Sequence, residues 1–379
     1  MILALLIACD EPPPPTPMAC RMLDASAAGP LASERHAAAG KAVDLARLFI
    51  REARQTSDPG FYTLAAGALD CAVTRNADDR EALRLRAHVE LQFHNFAAVE
   101  VEAARLVAMP DATWLDHALL GDAQMERGRL EQAGAAYQAA ADLRPGLEVY
   151  DRVGWLRWLW GDVEGSLEMA KLAVATGTPA DPEPYAWVLT RLGWLHALAC
   201  EPAPELDQAL ALLPGYAPAA FARGRVRLHT GDHVGAAADL RAVGATVEAA
   251  WGLSELDATV SVAAVREQDA RGYAMWLAPS DPLAARTILD AEWVIRQDAT
   301  TRMARAWAAW LGRDASIDAA AEARIALATG IVEPRVLRMG SQILGDEALM
   351  QRALSMGPGL LPSERAASPA PGAPASTVP

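Results

Sequence analysis

The amino-acid sequence predicts an all-α protein built from a repeated pair of helices. Two observations lead there. The apolar half of the chain, 52% of 379 residues, is dominated by Ala and Leu. It has few β-branched runs and almost no alternation of apolar and polar positions, so helix is favoured over strand. A pattern of Gly, Ala and a closing Pro also recurs along the chain at near-constant spacing, which marks an internal repeat.

At the N-terminus, "MILALLIACDEPPPPTP" opens with an apolar run ending in Leu6-Ile7-Ala8-Cys9 and then turns acidic and proline-rich. It resembles a bacterial lipoprotein signal, in which a small residue precedes a cysteine that is lipidated and becomes the mature N-terminus. The run is too short to span a bilayer, which needs about 20 residues. It departs from the signal pattern in having no Lys or Arg ahead of it and in being short even for a signal. The expectation is a signal over 1–9, with Cys9 as lipidation site, and a Pro/Ala-rich linker over 10–39. Its polyproline part would be a stiff spacer.

The helical body is expected over 40–360. "GKAVDLARLFIREARQTSDPG" reads as a helix stopped by Asp58-Pro59-Gly60, and "FYTLAAGALDCAVTRNADD" as the helix that returns beside it. "DDREALRLRAHVELQFHNFAAVEVEAARLVAMPDA" then fits a further, degenerate pair, with Phe96 in its turn.

The clearest unit follows, "LLGDAQMERGRLEQAGAAYQAAADLRPG". Leu120-Gly121, Gly128, Ala133, Tyr137, Ala140 and Pro145 stand at the spacings of the tetratricopeptide repeat, and the segment resembles that 34-residue helix-turn-helix unit. The small residues let two antiparallel helices approach, the aromatic ring wedges between units, and proline ends the second helix. The same register returns at Gly154 with Gly161, at Gly193, and at Gly224 with Gly231, in steps of 33, 39 and 31. The long step holds the linker "TGTPADPEPYA", whose prolines are expected to keep it out of helix. The short one reflects a trimmed second helix closed by Pro214. The best units are 114–147, 147–180, 186–216 and 217–247.

After Gly244 the match weakens, but "WAAWLGRDASIDAAAEARIALATG" and "VLRMGSQILGDEALMQRALSMGPG" keep the rhythm, giving about eight helix pairs. Residues 361–379 are of low complexity and expected to be disordered. From Ser57 to Pro358 the chain looks like a family of bacterial tetratricopeptide proteins with no settled biochemical role. "DPEPYAWVLTRLG", "ALALLPGYAPA" and "ALATGIVEPRVL" carry that impression. The resemblance implies helix-turn-helix repeats stacked into a right-handed superhelical solenoid, and a protein or peptide partner.

Composition and motifs bear on function mainly by exclusion. Net charge is −14 and no basic cluster occurs, which argues against nucleic acid. Cys9, Cys20, Cys71 and Cys200 lack metal or redox spacing, and buried or isolated thiols are expected at Cys71 and Cys200. His229 and His233 are four apart but straddle a turn, so they do not share a helix face. No phosphate loop, dinucleotide fingerprint, nucleophile elbow or zinc-protease motif is found. No catalytic, cofactor-binding or metal residue is therefore assigned, and no cofactor is expected.

That leaves the surface lined by the first helix of each pair, which in this repeat class typically receives a peptide or protein. The resemblance implies that positions 2, 5, 9, 12 and 13 of each unit line it. Trp155 and Trp158 fall there and are about 60° apart in helical projection, so they share a face. Trp187 and Trp194 come from the next unit, Asp122 and Met125 from the one before, and Phe221 and Arg225 from the one after. A tryptophan stripe at helical spacing is also what inter-repeat packing uses, and both readings stay open here. Trp160, Trp251, Trp276, Trp293, Trp307 and Trp310 are expected in the core. The expected function is a non-enzymatic interaction scaffold, lipid-anchored at a bacterial cell envelope; the alternative is a soluble cytoplasmic adaptor without lipid.

Overall fold

Residues 41–56, 58–267 and 269–366 are described by the computed structural model. The signal expected over 1–9 with Cys9, the linker expected over 10–39 and the expected tail from residue 367 lie outside them. Among the described residues there are 20 α-helices and no strand. They fall into two units, one formed by residues up to Ala53 and by Asp58–Val89, the other by Arg54–Ser57 and everything from Glu90 onward.

In the first unit α1 (Ala42–Thr56) and α2 (Gly60–Arg75) bury Leu45, Phe49, Leu69 and Cys71, and Phe49 stacks on Phe61 at 6.4 Å. Cys71 is fully buried and disulfide-bonded, so the thiol expected there is corrected. Its partner lies outside the described residues. The next helix is α3 (Arg80–Gln92).

The second unit contains α4 (Phe96–Val107) and then antiparallel pairs: α5 (Trp114–Glu126) with α6 (Leu130–Leu143), α7 (Leu147–Leu159) with α8 (Val163–Thr176), α9 (Pro182–Leu198) with α10 (Pro204–Leu212), and α11 (Ala217–Thr230) with α12 (His233–Ala242). The repeat glycines sit where these helices cross. A Cβ on Gly121 would lie 2.4 Å from the Tyr137 ring, one on Gly193 2.9 Å from Leu206, and one on Gly224 3.0 Å from Leu240. Seven residues after each of these positions the chain enters the left-handed region at the turn, at Gly128, Cys200 and Gly231, and Gly161 does the same after Gly154. The equivalent turn before α4 is made by His94, φ 61°, and not by Phe96, which begins α4 and is buried. Where Gly-Asp stands at the turn, Asp162 and Asp232 cap the second helix by accepting from the amides of Gly165 and Gly235. Part of the acidic excess is thus helix capping.

Beyond α12, the short α13 (Val247–Ser254) is followed by a 3₁₀ turn in place of a partner helix. Pairing resumes with α14 (Ala270–Leu277) and α15 (Pro282–Ile295), α16 (Ala299–Leu311) and α17 (Ala319–Leu327), and α18 (Pro334–Leu344) and α19 (Glu347–Leu354). Two expectations are corrected. "PEPYA" is helical, because Pro182 occupies the first turn of α9, where its missing N–H costs nothing. Residues 361–366, expected in the disordered tail, are ordered: Leu361 is buried and α20 (Pro362–Ala366) buries Glu364.

The second unit also folds back on itself, turn against loop. Gln297 N donates to Glu126 O, the backbones of Gly161 and Gly330 touch, and Gly357 packs on the Ala197 carbonyl. The turns of α5/α6, α7/α8 and α9/α10 therefore meet the loops that follow α15, α17 and α19. A Cβ at Gly161 would stand 2.2 Å from Gly330 O, and one at Gly330 2.3 Å from Trp160 O. Both residues have positive φ, so no other residue fits at either place.

Candidate functional site: the strip of first helices

The first helices α5, α7, α9 and α11 bring the predicted strip residues into one run, but not into one environment. At the α5 end, Asp122 is a structural anchor. It receives Arg152 Nε at 2.9 Å and Nη2 at 3.0 Å, together with the Tyr137 hydroxyl at 2.8 Å. Burial works against the Arg152 charge, but the adjacent Asp122 carboxylate outweighs it, so the pKa of this guanidinium is raised. Burial likewise pushes the Tyr137 phenol well up. Met125 is half-buried, its sulfur 3.8 Å from the same hydroxyl.

In the middle of the strip Trp187 is exposed, while Asp151, Trp155 and Arg191 are half-buried and Trp155 also packs against the Trp158 cluster. Trp187 is 37% exposed, and its indole N–H donates to Asp151 Oδ2 at 2.9 Å. Arg191 pairs with the other oxygen of Asp151 at 3.3 Å and lays its guanidinium over the Trp155 ring at 4.3 Å. Asp151, Trp155, Trp187 and Arg191 thus form a fixed aromatic and charged patch shared by α7 and α9. Cation–π stacking and the hydrogen bond hold both rings in place before any partner arrives.

The far half is covered by the chain's own later segments. Trp158 is only 4% exposed and packs with Leu198 and Val332, against which Trp194 and Met356 also rest. Arg225, likewise 4% exposed, lies 5.9 Å from the Phe221 ring centroid and donates to the Pro358 carbonyl at 2.8 Å. Burial lowers its pKa to about 10. Trp158 and Arg225, read from the sequence as partner-facing, are therefore interior in this structure. The physical reason is the fold-back of residues 296–366. Core placement is corrected in the other direction for Trp160 and Trp310, which are 39% and 38% exposed. Trp251 and Trp307 are buried, and Trp276 and Trp293 half-buried, with Trp293 between Arg302 and Arg305.

Asp151 and Arg152 carry much of the strip's geometry and were not singled out from the sequence. Their only signal is a pair of charges one residue apart on a helix otherwise rich in apolar side chains. Arg335 and Arg338 on α18 were missed as well, although charges three apart within "PRVLRMG" stand out among apolar neighbours.

Elsewhere, a cleft of about 370 Å³ in the first unit is lined by Lys41, Asp44, Arg47, Arg75, Asp79 and Glu81, and Arg47 is already paired with Asp44 and Glu81. Among the described residues no three His, Cys, Asp or Glu side chains converge on a point that could hold a metal ion.

No model of a protein family matches the chain, and no curated protein matches it. Among solved structures it is similar to yeast Tom70, with 11% identity over 83% of this chain and 87% of that one at a TM-score of 0.35. It is also similar to the TPR domain of P58(IPK), with 11% identity over 82% and 90% at a TM-score of 0.25. At that level of superposition neither likeness says anything of function. The pairing of helices across Gly121, Gly193 and Gly224 is what makes this chain an all-α protein of repeated helix pairs.

Proposed function

We propose that the protein is a non-enzymatic interaction scaffold that receives a segment of another protein along the patch of Asp151, Trp155, Trp187 and Arg191. The observation that carries this reading is Trp187. A large ring more than a third exposed, on the inner helix of a repeat pair and pinned by a hydrogen bond to Asp151, offers contact area at little entropic cost. Arg191 and Asp151 beside it supply directional polar groups. Affinity capture with the native protein and with Trp187→Ala tests the reading. A folded variant that retains the native partners refutes it.

The scaffold is held at a bacterial cell envelope by a lipid on Cys9. The N-terminal sequence supports this, and so does the disulfide at Cys71, since such bonds persist in oxidising compartments. Among the described residues no helix is long and apolar enough to cross a membrane. Labelled palmitate should enter the native protein and be lost in Cys9→Ala. Absence of label from both would favour the lipid-free adaptor instead.

A further inference from the structure

The covered half of the strip is filled by a segment of unusual make-up. After α19 the chain runs through Gly357-Pro358-Gly359, inserts Leu360 and Leu361, and returns as α20. Gly357 has φ 37°, and the tight packing of Gly359 on Pro334, 2.4 Å from a built Cβ, leaves no space for a side chain there. This strap lies against α9 and α11 as a bound peptide would. Its main-chain carbonyl at Pro358 is received by Arg225, its two leucines are 2% and 0% exposed, and its one carboxylate, Glu364, enters between Arg335 and Arg338.

The last contact is incomplete. Glu364 Oε1 is 2.8 Å from Arg335 Nε but out of line for a hydrogen bond, and 3.9 Å from Arg338 Nη2. Among the described residues Arg335 Nε and Nη2 and Arg338 Nε are buried donors with no acceptor, on residues 8% and 5% exposed. Of the Arg335 donors Glu248 takes Nη1 alone, at 2.6 Å, its other oxygen lying 3.9 Å from Arg225 Nη1. Two buried guanidiniums thus present unused N–H groups around a carboxylate that its own backbone holds at an angle, its other oxygen accepting from the Leu361 amide at 2.9 Å. Unpaired donors of this kind are costly, and an acid group free to turn would satisfy more of them.

We propose that this half of the strip is a second docking site, for an acidic peptide with two adjacent apolar residues ahead of its carboxylate, and that the strap is the intramolecular stand-in such a partner displaces. The proposal rests on the scaffold reading, but uses different residues from the Trp187 patch. The strap is held by Arg225 on Pro358, by Glu364, by Ser363 on Glu255 and by the two leucines, with Met356, Gly357 and Gly359 packed against the Trp158 cluster, Ala197 and Pro334. The partner therefore competes with a tethered ligand at high effective concentration, and its affinity for the intact chain is reduced accordingly.

The test uses the full chain, its Glu364→Gln variant, and a fluorescent peptide of the sequence Met356–Ala366. Glu364→Gln loosens the strap and leaves Arg335 and Arg338 in place. Fluorescence anisotropy should show the peptide binding this variant about tenfold more tightly than the native chain, and a peptide carrying Gln for Glu364 binding it at least tenfold more weakly. Equal binding to both chains, or no preference for the acid peptide, overturns the proposal. So does sedimentation of the variant as a strap-exchanged dimer, which would make a second copy the occupant.

Hydrogen exchange on the native chain needs no variant. Amides of residues 356–366 should exchange at least tenfold faster than those of α9 and α11, and equal protection overturns the proposal even if the variant does not fold. Trp187→Ala serves as the control. Loss of partner capture there with unchanged strap-peptide binding separates the two sites. Unchanged capture would refute the Trp187 patch and leave this site standing.

Discussion

Replacing Trp158 by Ala discriminates most sharply between a groove residue and an interior one. The side chain is 4% exposed and packed on Leu198 and Val332, so its loss removes nearly a whole indole from the interior. A buried Trp covers roughly 200 Å². At about 25 cal/mol per Å² its transfer contributes about 5 kcal/mol, within the roughly 3–5 kcal/mol found for large aromatic-to-Ala changes in cores. For a body of this size each kcal/mol shifts the melting temperature by roughly 2–4 °C, so Trp158→Ala should lower it by roughly 6–20 °C. Trp187→Ala loses an exposed ring and one hydrogen bond to Asp151, and should cost no more than about 1.5 kcal/mol. Thermal denaturation followed by circular dichroism reads both. The reasoning fails if the two variants melt together, or if Trp158→Ala is the milder one. Either result would mean that Val332 and Met356 do not cover Trp158 in solution.

Three further outcomes follow from the same geometry. Gly121→Ala should destabilise by about 1–3 kcal/mol despite the better helix propensity of Ala, because the new methyl would meet Tyr137 at 2.4 Å; Gly67→Ala on α2, with nothing within 4 Å, should be neutral or stabilise by up to about 1 kcal/mol. Urea unfolding of the two variants side by side decides it. His94 stands exposed at its turn, yet partial desolvation, then Arg296 and Arg271, lowers its pKa to about 4 from its ordinary 6.5. The unfolded chain therefore takes up a proton between pH 6.5 and 4 that the folded one refuses, and stability should fall across that window as pH drops. His94→Asn, which tolerates the same left-handed turn, should flatten the slope of denaturation midpoint against pH over that range. Maleimide labelling of the unfolded protein with and without prior reduction should reach Cys71 only after reduction, while Cys200, exposed at its turn, labels without it.

Much of this molecule is legible along the chain because the repeat is a local device. Gly121, Gly193 and Gly224 mark helix crossings, Gly128 and Gly231 mark turns, and Asp162 and Asp232 mark caps, each within one helix pair of the contact it makes. Where the same backbone role is filled by another residue, the reading falters. His94, Cys200 and Arg313 hold the left-handed turn without glycine, and α14/α15 went unread because neither helix carries the Gly landmarks. The Asp-Pro pair at Asp281-Pro282 was the available signal, an N-cap followed by a proline in the first turn.

The sequence by itself determined the helix pairs, their register and the face on which Trp155 and Trp158 stand together, since these depend on spacing within about 35 residues. Only the tertiary structure decided which of those rings meets solvent. The contacts that cover Trp158 and Arg225 come from Val332, Met356 and Pro358, more than 130 residues away, through a fold-back registered by the touching backbones of Gly161 and Gly330. A period in sequence specifies the neighbours along a stack of repeats. It carries no information about which turn a distant loop will meet, because that depends on the accumulated curvature of every pair between them.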